Sequence, residues 1–295
     1  MKRIITLAFA ACLLAVALIR PALADGTWID TAAASREAAR ADVVVLDARG
    51  AKDYAAGHID GALSAPWQMF ANMVGKPGND RWGTLLPADK LGAAIGSLGI
   101  GKNTRVLIYS TSPKGWGEDG RVAWTLRSAG VTNVAIIDGG FEGWVATGAK
   151  VSQNNTKRDA VNLTVAALDN SLNVTKEEVK ASLGKARILD ARAPDEYAGA
   201  QKFGESRGGR LPGAVSMPWD KVFDANGRVR NASALKKMLT DAGIKPEDDV
   251  ITYCTKGIRS AHLALAMREV GYSKARNYDA SFYEWAGDAS LPLEK

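Results

Sequence analysis

The sequence predicts an α/β protein of two tandem domains, each a parallel sheet with helices on both faces. Three observations carry this expectation. Short apolar runs such as "VVVLDAR" and "RVLIYS" alternate with stretches whose apolar residues recur at helical spacing. Strands separated by helices imply a parallel sheet covered on both sides. The whole pattern then recurs once along the 295-residue chain, a length suited to two domains of roughly 100–200 residues each.

The elements follow in order. Residues 1–24 begin with Lys2 and Arg3, continue through an apolar stretch from Ile4 to Ile19, and end on Ala22-Leu23-Ala24. That layout is a secretory leader, too short for a spanning helix of about 20 apolar residues. Its removal predicts an exported, periplasmic or secreted chain with no stable membrane contact. It also removes Cys12, leaving Cys254 as the lone thiol, so no intramolecular disulfide is possible.

The first domain, residues 25–150, carries strands at "VVVLDAR" and "RVLIYS" and a helix at "DKLGAAIGSLG" that stops at Gly99. Residues 151–170 are polar without a clear period and read as a linker. The second domain, residues 171–295, opens with "VTKEEVKASLG", where Thr175 and Glu178 have capping-box spacing. "SALKKMLTDAG" stops at Gly243, "VITYC" reads as a strand, and "AHLALAMREVG" reads as the helix after it.

The repeat is explicit. Leu46-Asp47-Ala48-Arg49 recurs as Leu189-Asp190-Ala191-Arg192, and "GHIDGALSAPW" as "GRLPGAVSMPW". Ser110 pairs with Cys254, and "FEGW" with "FYEW". The second copy gains an insert, "AGAQKFGESRG", and the first has a longer loop after Ser110. Loops absorb such changes at small cost.

Cys254 therefore ends a strand just before a helix, at the sheet edge where open α/β folds bind ligands. Helix-start N–H groups and nearby cations lower a cysteine pKa from ~8.5 to ~3.5–7.5. Lys256 and Arg259 supply the cations, and Gly257 lets the turn curl its N–H groups inward. The product is a cupped anion site with a thiolate at its base. A buried, inert core cysteine is the alternative. Composition excludes a nucleic-acid stripe, since the mature chain is only mildly basic and no basic run interleaves with aromatics. His58 is expected to fix a turn and His262 to cap or pack. Neither has a metal-ligand partner at useful spacing, and nothing calls for a cofactor.

"CTKGIRS", with "LDAR", "GA" and "F..W" in the same order in both halves, resembles the rhodanese sulfurtransferase family. The resemblance implies two rhodanese-like domains with the cysteine only in the second, and ping-pong transfer of sulfane sulfur through a Cys254 persulfide. The partners would be a small-molecule donor, thiosulfate or 3-mercaptopyruvate, and a thiophilic acceptor such as cyanide, a small thiol or a protein. "C-T-K-G" keeps the lysine of thiosulfate-type loops ("C-R-K-G") but not the arginine. Lys256 and Arg259 would hold the donor. Arg192, ending "LDAR", either reaches that pocket or forms a surface salt bridge. Arg207, on the insert, is a further substrate-binding candidate. Ser110 lacks a general base, so the first domain is expected to be non-catalytic. A phosphatase-type loop needs C-x5-R, whereas Cys254 and Arg259 make C-x4-R. A persulfide carrier would need the same loop.

Overall fold

The computed structural model describes residues 26–79, 81–111 and 113–295, so the expected leader and Cys12 lie outside the described residues. The first sheet is formed by β1 (Trp28–Ile29), β2 (Val43–Asp47), β3 (Leu63–Ser64), β4 (Arg105–Tyr109) and β5 (Val134–Ile137). Its order is β1-β5-β4-β2-β3, all parallel. The second comprises β6 (Asn173–Val174), β7 (Arg187–Asp190), β8 (Val215–Ser216), β9 (Val250–Tyr253) and β10 (Ala275–Tyr278). Its order, β6-β10-β9-β7-β8, is the same topology, again parallel. β2, β5 and β9 are buried along their whole length. That explains why they are rich in Val and Ile, because a sheet covered on both faces has no polar side.

The duplicated "LDAR" motif proves to be a structural knot. Arg192 is 0 % exposed, paired with Asp190 at 2.7 Å, and donates to the Gly209 carbonyl. Its guanidinium lies 3.9 Å from the Phe282 ring centroid. Tyr253 completes the knot by donating its hydroxyl to Asp190 and accepting from the Leu211 N–H. The first domain repeats every contact: Arg49 pairs with Asp47, donates to Gly57 and stacks on Phe141, while Tyr109 bridges Asp47 and Ile59. A network that recurs in the copy without a cysteine serves the fold. The expectation that Arg192 contacts substrate is corrected accordingly, and the pairing is internal rather than on the surface.

The domains meet through equivalent helices, Glu118–Ser128 and Ile258–Glu269, which pack against one another. Both are buried almost all round, since each lies between its own sheet and the other domain. The approach is closest at Gly120, where an added Cβ would come within 2.5 Å of the His262 Cβ. Ile258, Ala261, Leu265 and Tyr283 of the second domain join the first domain's core.

The linker is fastened down. The Val161 N–H donates to the Gly96 carbonyl, and Leu163, Val165 and Leu168 pack on the first core. Gly92, inside helix Ala88–Gly96, and Gly96, its last residue, leave room for it. A Cβ on either would stand 2.4 or 2.3 Å from a linker carbonyl. The helix thus tolerates at Gly92 a residue that costs about 1 kcal/mol in its interior. His58 ties its turn as expected, with ring nitrogens bonded to the Tyr54 and Asn154 carbonyls.

Candidate active site

Cys254 directly follows β9, whose Tyr253 pairs in register with Asp190. The next helix begins at Ile258, earlier than the spacing suggested, with Gly257 as its N-cap at φ 76°. Arg259 and Ser260 thus lie in the first helical turn, and only Thr255, Lys256 and Gly257 form the loop. Two facts require glycine at 257. The positive φ strains other residues, and a Cβ there would meet the Asp279 carbonyl at 2.3 Å. Ser281 is the one non-glycine residue with positive φ among those described, at 56°. Its hydroxyl accepts from the Cys254 N–H at 3.1 Å and donates to the Tyr278 carbonyl. The first copy has Gly140 there, at φ 58°.

Cys254 is 1 % exposed and on one side joins the apolar core of Leu189, Ala191 and Leu263. Burial pushes its thiol pKa up. The positive charge of Arg259, the Ser260 hydroxyl and the N–H groups of Ser260 and Lys256 pull it down, and the balance lies below the ordinary thiol value. Helix-start amides and a cation outweigh desolvation, as the loop chemistry predicts.

The two loop cations do different work. Arg259 is 5 % exposed and forms a two-pronged pair with Glu196 at 2.6 and 2.8 Å. The Thr255 hydroxyl accepts from Arg259 and donates to Glu196. Burial works to raise the Glu196 pKa, but Arg259 overcomes it and holds the carboxyl below its usual range. Lys256 instead directs its ammonium at two first-domain indoles, 5.3 Å from the Trp67 centroid and 5.1 Å from Trp82. Burial lowers its pKa. Lys256 is thus the loop cation whose contacts leave it without a carboxylate pair in the described ion pairs.

Arg207 is placed elsewhere. Its guanidinium donates to the carbonyls of Trp285, Ala286, Asp288 and Leu291. It closes the C-terminal end of helix Ser281–Gly287, where unsatisfied carbonyls favour a cation. The expected substrate contact is replaced by this cap. In the first copy the Ser110 hydroxyl is buried and has no hydrogen-bond partner among the described residues.

Several site residues escaped sequence reasoning. Glu196 aligns with Asp53 of the first copy, and the longer acid in the cysteine-bearing half was the available signal. Trp67, Trp82 and Trp116 come from the other domain. Trp116 lies 5.3 Å from the Arg259 guanidinium and meets Phe203 of the insert edge to face. No local pattern announces such long-range partners.

The chain is a duplicated parallel α/β fold with one cysteine held by amides and a cation at a helix start. The chain belongs to the rhodanese family: the Rhodanese-like domain matches residues 30–147 and 175–288. A thiosulfate sulfurtransferase of Pseudomonas aeruginosa is 29 % identical over 86 % of this chain and 91 % of its own. A sulfur carrier protein of Thermus thermophilus is 26 % identical over 82 % and 87 %. Among solved structures, the anaerobic ergothioneine biosynthesis enzyme from Chlorobium limicola superposes with a TM-score of 0.81. It is 19 % identical, over 91 % of this chain and 70 % of that one, and shares the fold.

Proposed function

We propose that this protein moves sulfane sulfur from thiosulfate through a Cys254 persulfide to cyanide or a thiol acceptor. The observation that carries the reading is the Cys254 loop itself: a thiol with its pKa drawn down at a helix start, beside Lys256, a cation that no ion pair among the described residues ties to a carboxylate. The Cys254 thiolate attacks the outer sulfur of thiosulfate. The donor's S–S bond breaks, and its electron pair leaves with sulfite. Cyanide then attacks the outer sulfur of the persulfide, thiocyanate departs, and the thiolate is restored. Loop N–H groups stabilise the negative charge on sulfur in both states. Lys256 attracts the dianionic donor. 3-Mercaptopyruvate is the second donor to test, and export is part of the same proposal.

The test is mass measurement of the protein after incubation with thiosulfate. The expected result is a gain of one sulfur atom on Cys254, lost on adding cyanide with release of thiocyanate, and absent from C254S. A C254S protein that still transfers sulfur would overturn the reading. A persulfide that forms but resists both cyanide and small thiols would favour a dedicated carrier, the reading its likeness to the Thermus thermophilus carrier supports.

A further inference from the structure

The first domain, residues 25–150, has no cysteine, yet one of its side chains reaches the Cys254 loop. Arg121, in helix Glu118–Ser128, is 1 % exposed. Its Nη1 donates to the Gly257 carbonyl at 3.1 Å and to the Asp279 carboxylate, and its Nη2 to the Gly83 carbonyl at 3.0 Å. The other Asp279 oxygen accepts from the Leu85 N–H at 2.8 Å. Asn277 adds a second donor to the Gly257 carbonyl at 3.2 Å. One guanidinium thus joins the catalytic loop, the strand-end aspartate and the 83–85 segment that lies beside Lys256.

We infer that Arg121 is a positioning residue for the Cys254 nucleophile, contributed by the non-catalytic domain. In a trans peptide the C=O and N–H point opposite ways. Holding the Gly257 carbonyl toward the first domain turns the following N–H back across the loop. The pair also fixes the left-handed turn that lets the Lys256 and Ser260 amides reach the sulfur. Arg121 touches neither substrate nor sulfur and acts through Gly257. The contact also explains the place of the first domain, since the loop lacks one of its two carbonyl anchors without it.

The inference rests on Cys254 being the nucleophile, but its test is independent of the sulfur donor. The pH midpoint of Cys254 alkylation by iodoacetamide is measured on the full chain, beside kcat and KM with thiosulfate and cyanide. R121M/D279N removes both charges together, so no buried charge is orphaned. We expect its midpoint to rise by about one pH unit and kcat to fall about tenfold, with KM little changed. R121K keeps a charge for Asp279 but cannot fork to two carbonyls, and its midpoint should also rise. It decides the matter if the double variant fails to unfold cooperatively. D138N loosens a domain contact elsewhere, where Asp138 accepts from the Val229 N–H. It should leave the midpoint in place. Unmoved midpoint and kcat in the folded Arg121 variants overturn the inference, as does an equal shift in D138N. A shifted midpoint in a protein that transfers no sulfur upholds the positioning role and sinks the sulfurtransferase reading instead.

Discussion

Lys256 shows how a side chain's role depends on what surrounds its charge. Its ammonium rests beside Trp67 and Trp82, 5.3 and 5.1 Å from their ring centroids. An indole face attracts a cation without neutralising it, unlike the carboxylate on Arg259. In the proposed reaction Lys256 therefore attracts the anionic donor, while Arg259 is held by Glu196. Replacing Lys256 with alanine should raise KM for thiosulfate about tenfold or more, in line with ~1.5–3 kcal/mol for a charge-assisted contact. Steady-state kinetics against an unchanged cyanide KM checks it. Legibility at this scale was uneven. Cys254, Lys256 and Gly257 could be read because their chemistry is written within four residues. Glu196 could not, since its partner Arg259 lies 63 positions away.

At the scale of the element, the Asp–Arg–Tyr knot holds each central strand to the loop beside it. Removing one partner of a buried pair leaves an uncompensated charge and costs about 3–5 kcal/mol. R192M and R49M should therefore destabilise the protein to a similar degree, read by denaturant unfolding. Neither residue touches the reacting sulfur, so KM of the folded fraction should stay near its wild-type value. A selective rise in KM for R192M alone would restore the substrate role expected from the motif. The repeat made this element visible as a sequence pattern. It did not reveal whether the arginine pointed inward or outward, which depends on Phe282, 90 residues further along.

At the scale of the molecule, the domain interface encloses an unusual histidine. His262 is 0 % exposed, neither ring nitrogen has a hydrogen-bond partner among the described residues, and Trp28, Trp219 and Phe223 surround it. Asp119 of the first domain stands 3.9 Å away. Burial lowers the His262 pKa, and Asp119 only partly opposes this. The folded value is thus below the unfolded value of about 6.5. The stabilisation linked to neutral His262 is complete above the unfolded pKa and lost as pH falls through the folded one. Thermal unfolding between about pH 8 and pH 5 should show an acid limb that His262→Leu flattens. An identical limb in the variant would remove His262 from the account.

The sequence by itself determined the duplicated α/β plan and singled out Cys254 as the candidate nucleophile. Periodicity, capping and loop chemistry act between near neighbours, so a linear reading contains them. Tertiary structure alone decided that Arg192 and Arg207 brace the fold, that Lys256 leans on tryptophans of the other domain, and that Arg121 reaches a carbonyl 136 residues away. A buried charge must find its partner wherever packing brings one, and that meeting is set by how two domains pack, not by spacing along the chain.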